Sequence, residues 1–408
     1  MSGFARQRGN EDIMKKIGVV ANHKTINFGT MLQSTATQKA LETLGCQAET
    51  IDIDRISRDI QQRKTRHFLT QMSPLALLQS KGPFIRKKLH RMIDHSFAAL
   101  LCSRDQSFQA YREAMFPMSE PVPDRSALTD FSRKYDTVLV GSDQIWLPSN
   151  IAADVFTLNF VPDGINKVAY ASSFGVSQLP ARMEAEARAF LNRIDHVSVR
   201  ELSGQTLVRT LTGRDVPVVC DPTMLFTAKG WRDIIPDQCP IDEPYIFCYF
   251  LGNNPEQRQW VQRAKEATGL KILAPLHMDE YIRGDDLFPD QALYDIGPAE
   301  FLNYIRYASY LFTDSFHGTI LSILNGVSVF TFNRFKAGAA LSTNTRIDSL
   351  FAITGLNGRH IDVDADVNAC LSMPTDYAQA HQKIAELRER SWQYLKNALG
   401  VDQVDPDR

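Results

Sequence analysis

The sequence alternates short apolar segments with amphipathic helical ones, and this alternation restricts the fold more than any other feature. Residues Lys16–Asn22 have the continuous apolar pattern of a buried strand, and Gln47–Asp52 form the next such segment. Between them, Thr30–Leu44 places leucine and alanine on one helical face, and Gly45 follows as a natural helix stop. Two strands joined through a helix run parallel and cross over right-handed. The sequence therefore predicts an α/β protein with doubly wound parallel sheets.

The pattern is interrupted once and restarted once, which predicts two Rossmann-like domains that face each other across a cleft. A chain of 408 residues exceeds the usual size of one domain. Residues 14–235 are expected to form the first domain, with the basic segment 56–121 inserted as helices without a buried strand. A linker with three prolines at 236–244 opens the second domain, residues 236–372. The final helix, within residues 373–408, can pack back on the first domain.

Composition and charge argue against several classes of function. The net charge of −2 does not suggest a nucleic-acid-binding protein. The six cysteines are too widely spaced for zinc ligands or a disulfide framework, so we expect neither a metal nor another cofactor. We find no leader-like segment and no run of 18 apolar residues, and therefore expect a cytoplasmic protein without a membrane span.

A basic helical segment at residues 86–91 leaves two interpretations open. It forms either a solvated helix face or a contact with an anionic membrane or a polyanionic partner. The second interpretation allows peripheral attachment at the inner face of the membrane.

The segment at residues 308–319 carries the strongest functional signal. An apolar strand leads through a polar turn, which includes Ser315, to His317 at the start of an apolar helix. The unpaired N–H groups at a helix start, here at Gly318 and Thr319, attract anions. A histidine at that position can exchange protons near neutral pH. The alternative is an ordinary helix cap with a satisfied histidine.

Two further polar segments follow predicted strands of the first domain, where ligands bind in doubly wound sheets. Asn27, Gly29 and Thr30 come after the first strand, and Gly29 lets the backbone approach a ligand; a plain turn is the alternative. In the second segment, Asp143 can act on a hydroxyl group as a base, next to Ser142. Sugar contacts are expected from two further side chains of that segment, Gln144 and Trp146. There the alternative is an aspartate cap with a core tryptophan.

Two arginines are candidates for binding an anion. Arg200 ends the strand that begins at His196, where a charge is costly unless it meets an anion or an acidic side chain. Neighbouring strand residues point to opposite faces, so we do not expect Arg200 to pair with Glu201. Arg346 opens a later helix and can form a second clamp, or lie on the surface.

Taken together, these segments resemble the polysaccharide pyruvyl transferase family. The resemblance extends from about Gly18 to Arg359 and rests on the order and spacing of the motifs. They are Asn27-Phe28-Gly29 with Gln33, Gly141-Ser142-Asp143-Gln144-Ile145-Trp146, Tyr170-Ala171-Ser172-Ser173-Phe174-Gly175, Ser198-Val199-Arg200-Glu201, Asp221-Pro222-Thr223, Gly297-Pro298 with Glu300-Phe301, and Thr313-Asp314-Ser315-Phe316-His317-Gly318-Thr319.

The resemblance implies a GT-B-like arrangement, phosphoenolpyruvate as donor and a glycan as acceptor, which can be lipid-linked. The product would be a pyruvate ketal on a pair of sugar hydroxyls. His317 matches the family histidine, and Arg200 matches the arginine of the first domain. Where some relatives have Arg-Leu-His, this chain has Ser315-Phe316-His317. Arg346 or Arg334 is therefore expected to replace the absent donor-binding arginine.

These matches suggest a role for each group. His317 would be the acid and base, and Asp143 would orient or deprotonate the acceptor. Arg200, Arg346 and the N–H groups of the following helix would neutralise the donor. Two alternatives stay open: a GT-B glycosyltransferase that uses a nucleotide sugar, and a catalytically inactive glycan-binding relative.

Overall fold

Two six-stranded parallel sheets form the framework of the protein. The computed structural model describes residues 14–71, 74–275, 277, 280–335 and 345–401. The first sheet contains β1 (Lys16–Val20), β2 (Gln47–Asp52), β3 (Met118–Pro121), β4 (Thr137–Val140), β5 (Asn166–Ser172) and β6 (His196–Val199). The second contains β7 (Tyr245–Tyr249), β8 (Lys271–Pro275), β9 (Gln291–Leu293), β10 (Tyr310–Thr313), β11 (Ser328–Phe332) and β12 (His360–Ile361).

Both sheets have the same strand order. The first runs β3-β2-β1-β4-β5-β6, and the second runs β9-β8-β7-β10-β11-β12. The order reverses direction between β1 and β4 in the first sheet and between β7 and β10 in the second. Doubly wound domains bind ligands at such a point. The prediction of two Rossmann-like, doubly wound domains is confirmed.

Helices connect the strands and cover both faces of each sheet. In the first domain they are α1 (Phe28–Thr43), α2 (Ser57–Gln71), α3 (Pro74–Ile93), α4 (His95–Met115), α5 (Leu128–Ser132), α6 (Pro148–Ala153), α7 (Glu184–Arg193), α8 (Leu202–Thr212) and α9 (Ala228–Ile234). The remaining helices are α10 (Pro255–Thr268), α11 (Pro298–Arg306), α12 (Phe316–Asn325), α13 (Thr345–Thr354), α14 (Val367–Leu371) and α15 (Ala378–Leu399). Among the described residues, no helix combines the length and apolar character needed to cross a bilayer.

The inserted segment differs from its prediction at its end. The sequence suggested helices without a strand over residues 56–121, and α2, α3 and α4 fill most of that range. Residues 118–121, however, form β3, which pairs parallel with β2 through Thr50 and Met118. The sequence of β3 is Met-Ser-Glu-Pro, which lacks apolar alternation because an edge strand is largely exposed. This strand forms through main-chain pairing with β2, which the pattern of side chains does not reveal.

Helix α1 lies between the two domains, and most of its surface is therefore buried. The ring of Phe28 stacks on Phe301 of the second domain, with ring centres 4.3 Å apart and planes nearly parallel. It also touches Phe108 of the insertion at 5.1 Å. The start of α1 is therefore held by three parts of the chain at once.

The last helix, α15, crosses back to the first domain. The Ser391 hydroxyl accepts a hydrogen bond from the Cys220 N–H at 2.9 Å. The Tyr394 hydroxyl donates to the Ala169 carbonyl at 3.1 Å. These bonds tie the end of the chain to the sheet that carries Arg200, so the two domains are held against each other.

Candidate active site

Polar side chains from both domains meet where the carboxyl ends of the two sheets face each other. Arg200 follows β6, and Asp221 lies in the turn after Val218, which bridges to Val199. His317 sits in the first turn of α12, opposite them. Parallel strands bring these positions to one edge of each sheet, which is the usual ligand-binding edge.

Asp221 is the acidic centre of this site. Its Oδ2 accepts hydrogen bonds from Arg200 Nη1 at 2.5 Å and from the Ser142 hydroxyl at 2.9 Å. Its Oδ1 accepts from the main-chain N–H and the hydroxyl of Thr223, at 3.0 and 2.8 Å. Burial would raise the pKa of Asp221, but the charges of His317 and Arg200 outweigh it and hold that pKa well below its usual range. Asp221 is thus a buried carboxylate at every physiological pH.

Sequence reasoning did not select Asp221 as a site residue, although its Asp-Pro-Thr motif contributed to the family resemblance. An aspartate directly after a buried strand and before a proline was the available signal. What the sequence could not provide is the pairing partner, because Arg200 lies 21 positions earlier in the chain.

Arg200 offers two donors that the protein itself leaves unused. Its guanidinium is buried, and its plane lies over the Phe316 ring at 4.6 Å. Among the described residues, no acceptor is in hydrogen-bond geometry to Nε or Nη2. The nearest carboxylate oxygens, of Asp143 and Glu201, are 3.9 and 4.0 Å away. Burying N–H groups without acceptors is costly, so this arrangement is suited to an anionic ligand.

The expectation that Arg200 does not pair with Glu201 is wrong, because Glu201 Oε2 lies at ion-pair distance, 4.0 Å, from Arg200 Nε, although without hydrogen-bond geometry. Glu201 Oε1 accepts from the Ser173 hydroxyl at 2.8 Å, and Oε2 has no hydrogen-bond partner among the described residues. Burial raises the pKa of Glu201, and the charge of Arg200 only partly opposes this.

His317 can approach the first domain closely because Gly29 has no side chain. Its Nε2 lies 3.4 Å from Asp221 Oδ2, at ion-pair distance but without hydrogen-bond geometry. On the other side of the ring, a Cβ built on Gly29 would lie 2.2 Å from Nδ1. The predicted role of Gly29 was close approach to a ligand; in the structure, the group that approaches Gly29 is His317.

Asp143 connects residues of both domains. Its Oδ2 accepts from the Thr30 hydroxyl at 2.8 Å, while Oδ1 lies 3.9 Å from Arg200 Nη2 and 4.0 Å from Arg346 Nη1. Burial alone would raise the pKa of Asp143, but the charges of His317, Arg200 and Arg346 lower it. Its φ of 75° is a strained value for a non-glycine residue, as is often found at functional sites.

Arg346 adds a third positive charge to the site. Its side chain is buried, so the interpretation as a surface arginine is wrong. Burial and the charges of Arg200 and Arg334 together lower its pKa to about 9. Two buried arginines and the half-buried Arg334, which repel one another, would be stabilised by an anion placed among them.

Asn27 supports the site through the start of α1. Its side-chain oxygen accepts from the Thr30 N–H at 3.1 Å and so caps the helix. This cap orients Thr30, whose hydroxyl binds Asp143. The structure therefore brings together Asn27, Gly29 and Thr30 with the arginine cluster.

The start of α12 is a closed helix cap rather than an open anion site. The Gly318 N–H donates to the Ser315 hydroxyl at 3.3 Å, and the Thr319 N–H donates to the Ser315 carbonyl at 2.9 Å. The expectation that these two N–H groups neutralise the donor is wrong, because Ser315 already satisfies them. Ser315 contributes structure where some relatives contribute a charge.

Trp146 belongs to the core and not to the site. Its ring is fully buried against Phe174 and Phe190, and its Nε1 donates to the Phe156 carbonyl at 3.0 Å. The expectation that it stacks on a sugar is wrong, since no face of the ring is accessible. Its neighbour Gln144 is half-buried with an amide nitrogen that has no hydrogen-bond partner among the described residues, and so remains a candidate contact.

One group of side chains, within the described part of the chain, has the composition of a cation site. His23, Asp52 and Asp54 lie close together beyond β1 and β2. Asp54 is already paired with Lys24 and lies 3.3 Å from His23 Nε2. One of the two carboxylates is therefore already neutralised by Lys24, and no function is assigned to this group.

A family model described as polysaccharide pyruvyl transferase matches residues 27–334, most of the chain. No curated protein matches the sequence. Among solved structures, UDP-GlcNAc 2-epimerase from Methanocaldococcus jannaschii is similar with a TM-score of 0.51 at 11% identity, covering 92% of this chain and 99% of that one.

Two other solved structures are similar over nearly the whole chain. A putative UDP-N-acetylglucosamine 2-epimerase from Listeria monocytogenes has a TM-score of 0.48 at 11% identity, and the match covers 96% of this chain and 98% of that one. MurG from Acinetobacter baumannii has a TM-score of 0.44 at 10% identity, and the match covers 95% of this chain and 99% of that one. At such low identity, similarity shows the fold alone.

Proposed function

Because the chain belongs to the polysaccharide pyruvyl transferase family, and is therefore a transferase, we propose that it moves the pyruvyl group of phosphoenolpyruvate onto a glycan. The acceptor would supply two hydroxyl groups of one sugar. The products would be a pyruvate ketal and inorganic phosphate. The proposed donor is a metabolite of the cell interior, so the reaction would take place in the cytoplasm.

One observation supports this donor above all others. The Arg200 donors Nε and Nη2 are buried and have no hydrogen-bond partner among the described residues, next to an equally unpartnered His317 Nε2. Phosphoenolpyruvate has a phosphate and a carboxylate a few bonds apart, and guanidinium groups bind both. Two anionic groups would also offset the burial and the repulsion from Arg200 and Arg334 that together lower the pKa of Arg346 to about 9.

The reaction consists of two additions and one departure. A proton is added to the methylene carbon of the donor, which becomes a methyl group, and the first sugar oxygen bonds to the central carbon. The bond from that carbon to the phosphate oxygen then breaks, and phosphate leaves with the electron pair. The second sugar oxygen then bonds to the same carbon. Of the two protons that the sugar hydroxyls lose, one balances the proton added to the methyl group and the other is released.

His317 is suited to supply the first proton. Its Nε2 lies 3.4 Å from the carboxylate of Asp221, which can hold the ring in position. A positioned acid of this kind typically contributes about 10²–10⁴-fold in rate. Arg200 would stabilise the phosphate as its bond breaks.

Asp143 is better suited to orienting the acceptor than to deprotonating it. Three neighbouring cations lower its pKa, which makes it a weak base at neutral pH. Its carboxylate can still accept a hydrogen bond from a sugar hydroxyl, beside Thr30. The structure thus favours the first of the two roles that the sequence suggested for Asp143.

The experiment is phosphate release from phosphoenolpyruvate with a panel of galactose-, glucose- and mannose-type acceptors. His317→Ala should reduce acceptor-dependent release by about 10²-fold or more. His196→Ala is the matched control, because this histidine is exposed at the far end of β6. Release that is equal in both variants would remove His317 from the mechanism.

A binding measurement separates this proposal from a nucleotide-sugar enzyme. A ligand present at 100 times its Kd stabilises the folded state by about 2.7 kcal/mol, which a thermal-shift assay detects. We expect phosphoenolpyruvate to raise Tm and uridine nucleotides not to. The opposite pattern would overturn the proposed donor.

A further inference from the structure

An exposed apolar stripe on the inserted helices has no role in the reaction. On α3, Ile85, Leu89, Met92 and Ile93 are 47%, 52%, 69% and 80% exposed. Their spacing of four, three and one residues puts them on one side of the helix, within about 100° of arc. Contiguous exposed apolar surface marks an interaction site, whereas single exposed residues do not.

Basic side chains border this stripe on both sides. Arg86 and Lys88 are exposed, and the helical rotation of about 100° per residue puts one on each flank. No acidic residue occurs between Gly82 and Ile93. We call the six side chains together the α3 face: Ile85, Arg86, Lys88, Leu89, Met92 and Ile93.

The flank of α3 beyond Arg86 is anchored to the second domain. The His90 ring stacks on Tyr281 of the second domain, with ring centres 3.7 Å apart. Tyr281 also meets Phe97, at the start of α4, edge to face at 5.4 Å. These contacts limit the rotation of α3, and the α3 face stays exposed at the surface.

Helix α4 connects the end of α3 with the neighbourhood of the active site. Helix α4 begins after its cap, Asp94, and Phe108 of α4 packs on Phe28, the neighbour of Gly29. Fourteen helical residues separate Asp94 from Phe108, which corresponds to about 20 Å. That length matches a short oligosaccharide.

We propose that the α3 face docks on the surface of an anionic phospholipid bilayer. The apolar side chains would enter the boundary of the acyl chains, and Arg86 and Lys88 would meet the lipid phosphates. A second copy of the chain fits less well, because a twofold contact would bring these cations against their own copies. The consequence that the acceptor is lipid-linked rests on the proposed function; the docking does not.

Vesicle flotation with the full chain tests the docking. We expect binding to vesicles of phosphatidylglycerol and phosphatidylcholine, weakened by salt, and little binding to phosphatidylcholine alone. Each basic residue near an anionic surface contributes about fivefold, so Arg86→Gln/Lys88→Gln should lose about 25-fold. The control is Lys229→Gln/Arg390→Gln, which removes the same charge from other exposed positions and should bind as before.

A second variant tests the apolar part of the face. Leu89→Gln/Met92→Gln/Ile93→Gln should also abolish flotation, with Leu287→Gln, an exposed leucine of the second domain, as control. Flotation that neither variant changes, or no flotation at all, would overturn the proposal. So would a dimer, detected by sedimentation, that the triple variant dissociates.

Phosphate release with a water-soluble acceptor reports the proposed function separately. The α3 variants should keep it, since their side chains lie outside the active site. If release fails in the unaltered protein while flotation succeeds, the docking stands and the proposed donor does not.

Discussion

Replacing Gly29 with alanine would test how closely His317 must approach the first domain. The added Cβ would lie 2.2 Å from Nδ1, 2.5 Å from Cγ and 2.7 Å from Cβ of His317, whereas ordinary contact begins at 3.4 Å. The imidazole must therefore retreat by about 1 Å, or the two domains must separate. Either movement changes the position of the ring relative to Asp221.

The expected loss is larger for activity than for stability. A misplacement of about 1 Å can reduce a rate by about 10²-fold. For the free energy of unfolding, alanine in a helix gains about 1 kcal/mol over glycine, and overpacking typically costs about 1–3 kcal/mol. The two effects partly cancel, so we expect a net destabilisation of about 0–2 kcal/mol.

The assay is kcat/KM for acceptor-dependent phosphate release, measured alongside urea unfolding. Gly82→Ala is the matched control, because Gly82 is also helical and its added Cβ meets no atom of the described residues within 4 Å. It should be stabilised by about 0.5–1 kcal/mol and keep full activity. If Gly29→Ala turned over phosphoenolpyruvate like the unaltered protein, the close approach of His317 would have no bearing on catalysis.

Three further predictions follow from the described contacts. Arg200→Lys keeps a charge beside Asp221 but loses the unused donors, so KM for phosphoenolpyruvate should rise by about tenfold or more; an unchanged KM would contradict the clamp. Trp146→Phe should lower the free energy of unfolding in urea by about 2 kcal/mol, because it leaves a cavity and an unpaired Phe156 carbonyl. The KM for the acceptor should not change. A raised acceptor KM with unchanged stability would show that Trp146 contacts the sugar after all. A hydrogen bond from His23, opposed by burial, lowers the pKa of Asp54 to about 2 from 3.8. This contribution to stability is present above pH 3.8 and is lost as pH falls towards 2, so Asp54→Asn should flatten the urea-unfolding profile in that window; an unchanged slope would contradict the pairing.

The sequence selected several candidate positions that the structure brings together, because each lies at a strand end. Asp143 and Arg200 follow buried apolar segments, and parallel strands end at a common edge. Gly29 was selected for the freedom of its backbone, but the group that occupies the space came from a helix 288 positions later (317 − 29). Local patterns identify where a site lies; they do not identify what approaches it.

The errors have a common physical origin. Trp146 and the N–H groups of Gly318 and Thr319 looked available because the sequence shows donors and rings but not their partners. The Phe156 carbonyl and the Ser315 cap take those donors. Whether a polar group is free for a ligand depends on hydrogen bonds that form only when the chain is packed.

The sequence by itself determined the two parallel sheets, the helices around them and the family, because hydrophobic periodicity and motif order are properties of the linear chain. Only the tertiary structure decided that Asp221 pairs with Arg200, that His317 enters the gap at Gly29 and that Arg346 is buried. These residues lie on different domains or distant turns. Their charges act on one another through distance and burial, and neither quantity is written in the order of residues.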